Sequence, residues 1–242
     1  MPRCVVIDGF TAKAVTFDGT NDDVHRTSAF TGVSDGTDGT LSLWFRMNAG
    51  DGVLQAFFTM WNSSNSAVFL LQRTSGNTVT ILARDSALAT KFTKTSTATY
   101  TSGATWHHVI ASWNATTARF YIDGADVGSI TRTSGNIFLS APKIYIGAQL
   151  NSGTPGNRLD GDMAEVFFDD VYYDLSAASD LEKFRTGAGK PANLGGDGSS
   201  PSGSPPILYL KGPASTFNVN NGSGGDFTVT GALTDASSSP SD

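Results

Sequence analysis

The sequence holds a single cysteine, three histidines and four methionines in 242 residues. A lone Cys4 cannot close an internal disulfide, so a small secreted domain stapled by disulfides is excluded. Charged residues make up only 16% of the chain. Ala, Leu, Glu and Lys are too sparse for a helical bundle or a coiled coil. There is no basic excess, since 16 Lys and Arg stand against 22 Asp and Glu, a net charge of −6. Without a basic face to meet phosphates, nucleic acid is not an expected partner. No apolar run approaches the roughly 18 residues of a membrane span, so no membrane insertion is expected. The opening Met1-Pro2-Arg3-Cys4-Val5-Val6-Ile7-Asp8 lacks an apolar stretch of signal-peptide length. The expectation is synthesis in a cytoplasm without a signal peptide, any work outside the cell being reached by assembly or lysis.

What the chain has instead is 28 Thr, 27 Ser and 27 Gly, about a third of its residues, mixed with 15 Phe and many β-branched residues. That mixture reads as an all-β protein with enough apolar material for a core. Thr40–Met47 alternates cleanly, with Leu41, Leu43, Phe45 and Met47 on one side and Ser42, Trp44 and Arg46 on the other. Further strands are expected at 53–60, 67–73, 77–84, 106–113, 118–123, 143–147 and 163–168, separated by Gly, Asn, Asp and Ser clusters. Asp123-Gly124 is a tight-hairpin signal. Ser179-Asp180-Leu181-Glu182 fits a capping box, which predicts one short helix near 179–186. Residues 190–206 are rich in Gly and Pro, and strand patterns resume within 207–234. The tail is too short to hold its own core. The expected organisation is therefore one domain over 1–242, with 190–206 an ordered excursion and 207–234 returning strands.

Several of these segments together resemble laminin G-like, concanavalin A-like domains. The opening Ala14-Val15-Thr16-Phe17-Asp18-Gly19 and the strand Leu41-Ser42-Leu43-Trp44-Phe45 are similar to that family's first core strands. Trp106-His107-His108-Val109 followed by Tyr121-Ile122-Asp123-Gly124 resembles its most specific segment. Ile144-Tyr145-Ile146-Gly147, Gly161-Asp162-Met163-Ala164-Glu165-Val166 and Leu175-Ser176 follow in family order. The resemblance covers roughly residues 13–185 and implies a jelly-roll β-sandwich of two antiparallel sheets. The later Leu194-Gly195-Gly196-Asp197-Gly198-Ser199 and Gly224-Gly225-Asp226-Phe227-Thr228-Val229 resemble the endings of bacteriophage virion proteins with this fold.

Candidate sites are few. His107 and His108 are adjacent, so on a strand they point to opposite faces and do not form an acid–base pair. Asp160-x-Asp162-x-x-Glu165 is similar to the Glu-x-Asp-x-x-Glu of endo-glucanases of this fold. On a regular strand the third carboxylate faces away from the first two, so catalysis needs a bulge to re-aim it. The shorter Asp160 also widens a carboxyl separation that retaining hydrolysis holds near about 5–5.5 Å. A glycan site is expected at Trp61 with Asn62 and Asn65, where an aromatic ring and amides sit near a strand end. The family resemblance implies a calcium ion, and Asp18, Asn21, Asp22 and Asp23 supply the oxygen-rich loop for it.

The expectation is a non-enzymatic phage virion structural protein, decorating a capsid or forming part of a tail or fibre. Its partners would be neighbouring virion proteins, further copies of itself and host-surface glycans. It would be made in the host cytoplasm and displayed on the virion surface, with no cofactor required beyond the calcium the loop could hold. The alternatives are a carbohydrate-binding lectin-like module or adhesin, and then a glycoside hydrolase.

Overall fold

The computed structural model describes residues 10–242, so the opening Met1 to Asp8 and with it Cys4 lie outside the described residues. In chain order the strands are β1 (Ala14–Asp18), β2 (Asp23–Arg26), β3 (Gly39–Met47), β4 (Gln55–Trp61), β5 (Ala67–Arg73), β6 (Thr78–Arg84), β7 (Thr90–Thr99) and β8 (His107–Trp113). They continue with β9 (Ala118–Ile122), β10 (Ala125–Asp126), β11 (Lys143–Ile146), β12 (Gln149–Asn151), β13 (Thr154–Gly156) and β14 (Asp160–Asp169). After helix α1 (Ala178–Leu181) come β15 (Leu208–Leu210), β16 (Thr228–Thr230) and β17 (Thr234–Asp235). One sheet runs β10-β9-β8-β3-β14-β1-β17, with β15 also paired to β14. The other runs β16-β2-β11-β4-β5-β6-β7, and β12 and β13 form a separate hairpin. Every pairing among the named strands is antiparallel.

The alternation of β3 is realised as expected. Leu41, Leu43, Phe45 and Met47 enter the core between the sheets. From the facing sheet, Val79, Ile81 and Ala83 of β6 enter the same core. Phe168 of β14 stacks on Phe30 and Phe58, with ring centroids 5.7 Å away in each case. Phe69 and Trp113 flank it at 6.5 and 6.4 Å. The Asp123-Gly124 turn has φ of 54° and 81°, the double left-handed conformation of a tight hairpin.

The other face of the first sheet is also covered. Ile110, Phe167 and Tyr209 point away from the core between the sheets, and Tyr173, Leu175, Phe184 and Leu194 pack over them. This explains why β14 is buried along its whole length except Asp160. The chain after residue 206 returns to both sheets, through β15 on β14, β16 on β2 and β17 on β1.

The helix expected over 179–186 is cut to four residues. Its N-cap is Ala177, with no side-chain cap, so Ser179 lies inside the helix and the Ser179–Glu182 box does not form. Asp180 instead accepts the backbone N–H of Asp174 at 3.0 Å. Phe184 is buried and Leu181 partly buried on the sheet, which uses the expected apolar face without continuing the helix. β7 has no counterpart in the sequence pattern. Only Phe92 and Ser96 are buried along it, and its pairing with β6 makes it a strand.

Phe168→Ala removes the ring on which four other aromatics converge. Truncation of this kind costs roughly 3–5 kcal/mol. Urea denaturation should show a loss of that order, and a loss below about 1 kcal/mol would contradict the packing described.

Candidate functional site

The carboxylates of β14 come first because the sequence places a hydrolase pattern there. A bulge is present, since the β14–β3 register shifts between Ala164 and Phe167 and Glu165 has φ 52°. It turns Glu165 toward Tyr209, which donates its phenolic hydrogen to Glu165 Oε2. Glu165 is only 3% exposed. Burial pushes its carboxyl up to about 7, against the opposing pull of the Tyr209 bond and the Lys211 charge. Asp162 is fully buried and accepts from Thr16 Oγ1 at 2.6 Å, Arg46 Nε at 2.6 Å and Asn48 Nδ2 at 3.0 Å. Asp160, at the strand's partly exposed start, is raised by burial and then by Asp18 and Asp162. Two of the three carboxylates are thus sealed from solvent and held by internal donors.

The aromatic platform expected at Trp61 is not exposed. Its indole donates to Thr59 Oγ1 at 2.9 Å, and Leu150 of the β12–β13 hairpin packs with Tyr145 and Ala148 against it. Asn62 closes the β4–β5 turn by accepting Ser66 N–H at 2.8 Å, and Asn65, at φ 59°, accepts from Lys143 Nζ at 2.5 Å. The structure brings the three residues together but uses Asn62 and Asn65 in the turn and buries Trp61 under the hairpin.

In the Asp18–Asp23 loop expected to hold calcium, most carboxylate oxygens already have partners within the protein. Asp18 Oδ1 accepts the N–H groups of Thr20 and Asn21, at 2.8 and 3.2 Å. Asp22 accepts from Asp18 N–H at 3.0 Å and Ala232 N–H at 2.7 Å. Asp23 faces His25 Nδ1 at 2.7 Å and Arg158. Both oxygens of Asp22 and Asp23 and the Oδ1 of Asp18 are thus engaged inside the protein, and among the described residues no three His, Cys, Asp or Glu side chains cluster as metal ligands.

The Trp-His-His segment is structural. His107 faces Asp123 at 2.7 Å, and Asp123 also accepts His108 N–H at 2.8 Å, so the hairpin carboxylate pins the neighbouring strand. His108 lies on the opposite face, its Nε2 2.8 Å from Ser42 Oγ and its ring 4.8 Å from Trp44. Burial, helped by Arg185, lowers its pKa to about 3.

Two of the surface hollows have aromatic side chains in their walls. One, of about 280 Å³, has Trp44, Trp106 and Lys190 on its wall and is closed by the C-terminal residues 238–242. There Trp106 Nε1 donates to Ser238 Oγ at 3.1 Å. The other is a cleft of about 550 Å³ at the end of β14. Asp169, Asp170, Tyr172 and Tyr173 form one side, Asp180 and Lys183 a second, and Pro201 to Pro205 the rim. Its floor is fixed from the sheet, because Thr40 Oγ1 donates to Val171 O at 2.7 Å and Ser112 Oγ accepts Tyr173 N–H at 2.9 Å. Burial, then Asp170, raises Asp169 to about 6. Sequence reading missed this cleft. Its one signal was the aromatic and acidic run Asp169-Asp170-Val171-Tyr172-Tyr173-Asp174 directly after a strand.

A laminin G-type family model, described as Concanavalin A-like lectin/glucanases superfamily, matches residues 18–171. The chain belongs to this superfamily. No curated protein matches it in sequence. Among solved structures, a Bacteroides ovatus ATCC 8483 protein provisionally described as carbohydrate binding is similar at 14% identity and a TM-score of 0.64, over 93% of this chain and 60% of that one. The heptameric SAP-like pentraxin of Limulus polyphemus is similar at 14% identity and a TM-score of 0.55, over 71% of this chain and 82% of its own. The CBM40 of a Ruminococcus gnavus sialidase, solved with α2,3-sialyllactose, is similar at 11% identity and a TM-score of 0.50, over 69% and 95%. At these identities the likeness speaks for the lectin-like fold.

The sealed Glu165 makes a pH-dependent prediction. Folding raises its pKa from 4.5 to about 7, so the folded protein keeps a proton that the unfolded chain releases across that window. Its contribution is complete at low pH and weakens as the pH climbs. Relative to Glu165→Gln, the wild type should lose on the order of 2–3 kcal/mol between pH 5 and 8. The depressed His108 titrates in both proteins and cancels in the difference. Paired denaturation curves with a pH-independent gap would contradict this reading.

Proposed function

We propose that this chain is a non-catalytic, glycan-binding module of the lectin/glucanase sandwich. The observation that carries the reading is the state of the β14 carboxylates. In the glucanase pattern these groups must reach a glycosidic oxygen and an anomeric carbon. Here Glu165 is held by Tyr209, and Asp162 by Arg46, Thr16 and Asn48. The superfamily match and the two structural relatives described with carbohydrate support binding as what remains. The reading requires no cofactor. The purified chain should retain neutral glycans on an array and leave soluble oligosaccharides at their original length. A flat array would overturn the reading, as would shortened oligosaccharides whose appearance depends on Glu165.

The Gly- and Thr-rich ending adds the proposal that the module is carried on a phage particle, as capsid decoration or as a tail or fibre component. Its partners there would be neighbouring virion proteins and further copies of itself. In that placement residues 207–235, which pair with both sheets, would be part of the sandwich presented to those neighbours. Cryo-electron microscopy of the source particle should place density for this sandwich at symmetry-repeated positions, and its absence from the particle would overturn the placement.

A further inference from the structure

We propose that the cleft at the end of β14 is the sugar site of this module, and that it takes the ring of a neutral hexopyranose. The inference rests on the glycan-binding reading and names its place and ligand class. The cleft, about 550 Å³, falls within the roughly 300–1,000 Å³ typical of small-molecule sites. It is built before any ligand arrives, since hydroxyls of β3 and β8 hold the backbone of Val171 and Tyr173 in place.

The lining has the two surfaces a pyranose needs. Tyr172, partly exposed, and Pro205, exposed on the rim, offer apolar faces to the C–H side of a ring. Asp170, exposed, offers carboxylate oxygens that accept from vicinal hydroxyls, and Asp169, buried with its Oδ1 accepting Ile207 N–H at 3.3 Å, adds its negative charge beside it. Tyr173 is 4% exposed, and its hydroxyl faces Ser202 of the rim, so it marks the inner wall of the cleft.

Charge selects within the sugars. Three carboxylates face the cleft against one ammonium, and Lys183 is already paired with Asp180 at 3.0 Å. The field therefore repels an anionic sugar such as sialic acid. It also holds no metal-binding group, because no three such carboxylates converge among the described residues.

The test is a titration of the ¹⁵N-labelled protein with methyl α-glucoside, methyl α-mannoside and methyl β-galactoside, followed by NMR. N-Acetylneuraminic acid and spermidine serve as charged probes. At least one glycoside should shift resonances of residues 169–173 and 201–205, while N-acetylneuraminic acid shifts none of them. Tyr172→Ala and Asp170→Asn should each weaken that binding about tenfold, the loss of one stacking or charge-assisted contact. Both residues lie at the surface, so the variants keep the dispersed spectrum of the folded protein. Shifts confined to the Trp106 hollow, weakened by Trp106→Ala and indifferent to the cleft variants, would overturn the cleft and leave glycan binding standing. A cleft response to spermidine alone would overturn the sugar class. No response to any glycoside, together with a flat array, would overturn the glycan-binding reading and the cleft with it.

Discussion

The eight-stranded sheet has to bury apolar side chains on both of its faces, and β3 and β14 at its centre carry that demand. Toward the second sheet, β14 sends Met163, Val166 and Phe168 into the main core. In the opposite direction it sends Phe167, which would lie in water if nothing crossed over it. The chain from Tyr173 to Leu194 provides that cover, and Tyr209 of the neighbouring strand β15 lies under it beside Phe167. Much of what distinguishes the molecule follows from this second layer.

The layer decides the fate of the carboxylates on β14. A bulge aims Glu165 at the covered face, where β15 supplies Tyr209 as its donor. A buried carboxylate favours its neutral form, and the pKa of Glu165 is raised despite the Tyr209 bond and the Lys211 charge. Asp162 follows the other route open to a buried acid, ion pairing with Arg46 and hydrogen bonding to its neighbours. The same cover leaves an opening where it meets the end of β14, and there Asp170 and Tyr172 stay accessible. One packing requirement thus closes the middle of the strand and shapes a cleft at its end.

The sequence was most readable where one side chain in two is apolar. Leu41 to Met47 and Val79 to Ala83 announce their strands and their core faces because pleat geometry forces that period. β7 was illegible, since an edge strand of Thr and Lys is defined by its hydrogen bonds to β6 more than by its own residues. Trp61 misled because nothing local reveals that a hairpin some ninety residues later will place Leu150 on it. Glu165 was half legible. The need for a bulge could be argued from strand period, while its partner Tyr209 lies 44 residues further along the chain. The cleft joins residues 169–173 to 201–205, and only the fold brings those segments together.

A crystal structure of the protein with a neutral oligosaccharide tests the central claim most directly. The account predicts an intact glycan with one ring against Tyr172 and its hydroxyls toward Asp170, while Glu165 stays bonded to Tyr209. A glycan lying across β14 with Glu165 released from Tyr209 and a broken glycosidic bond would contradict it.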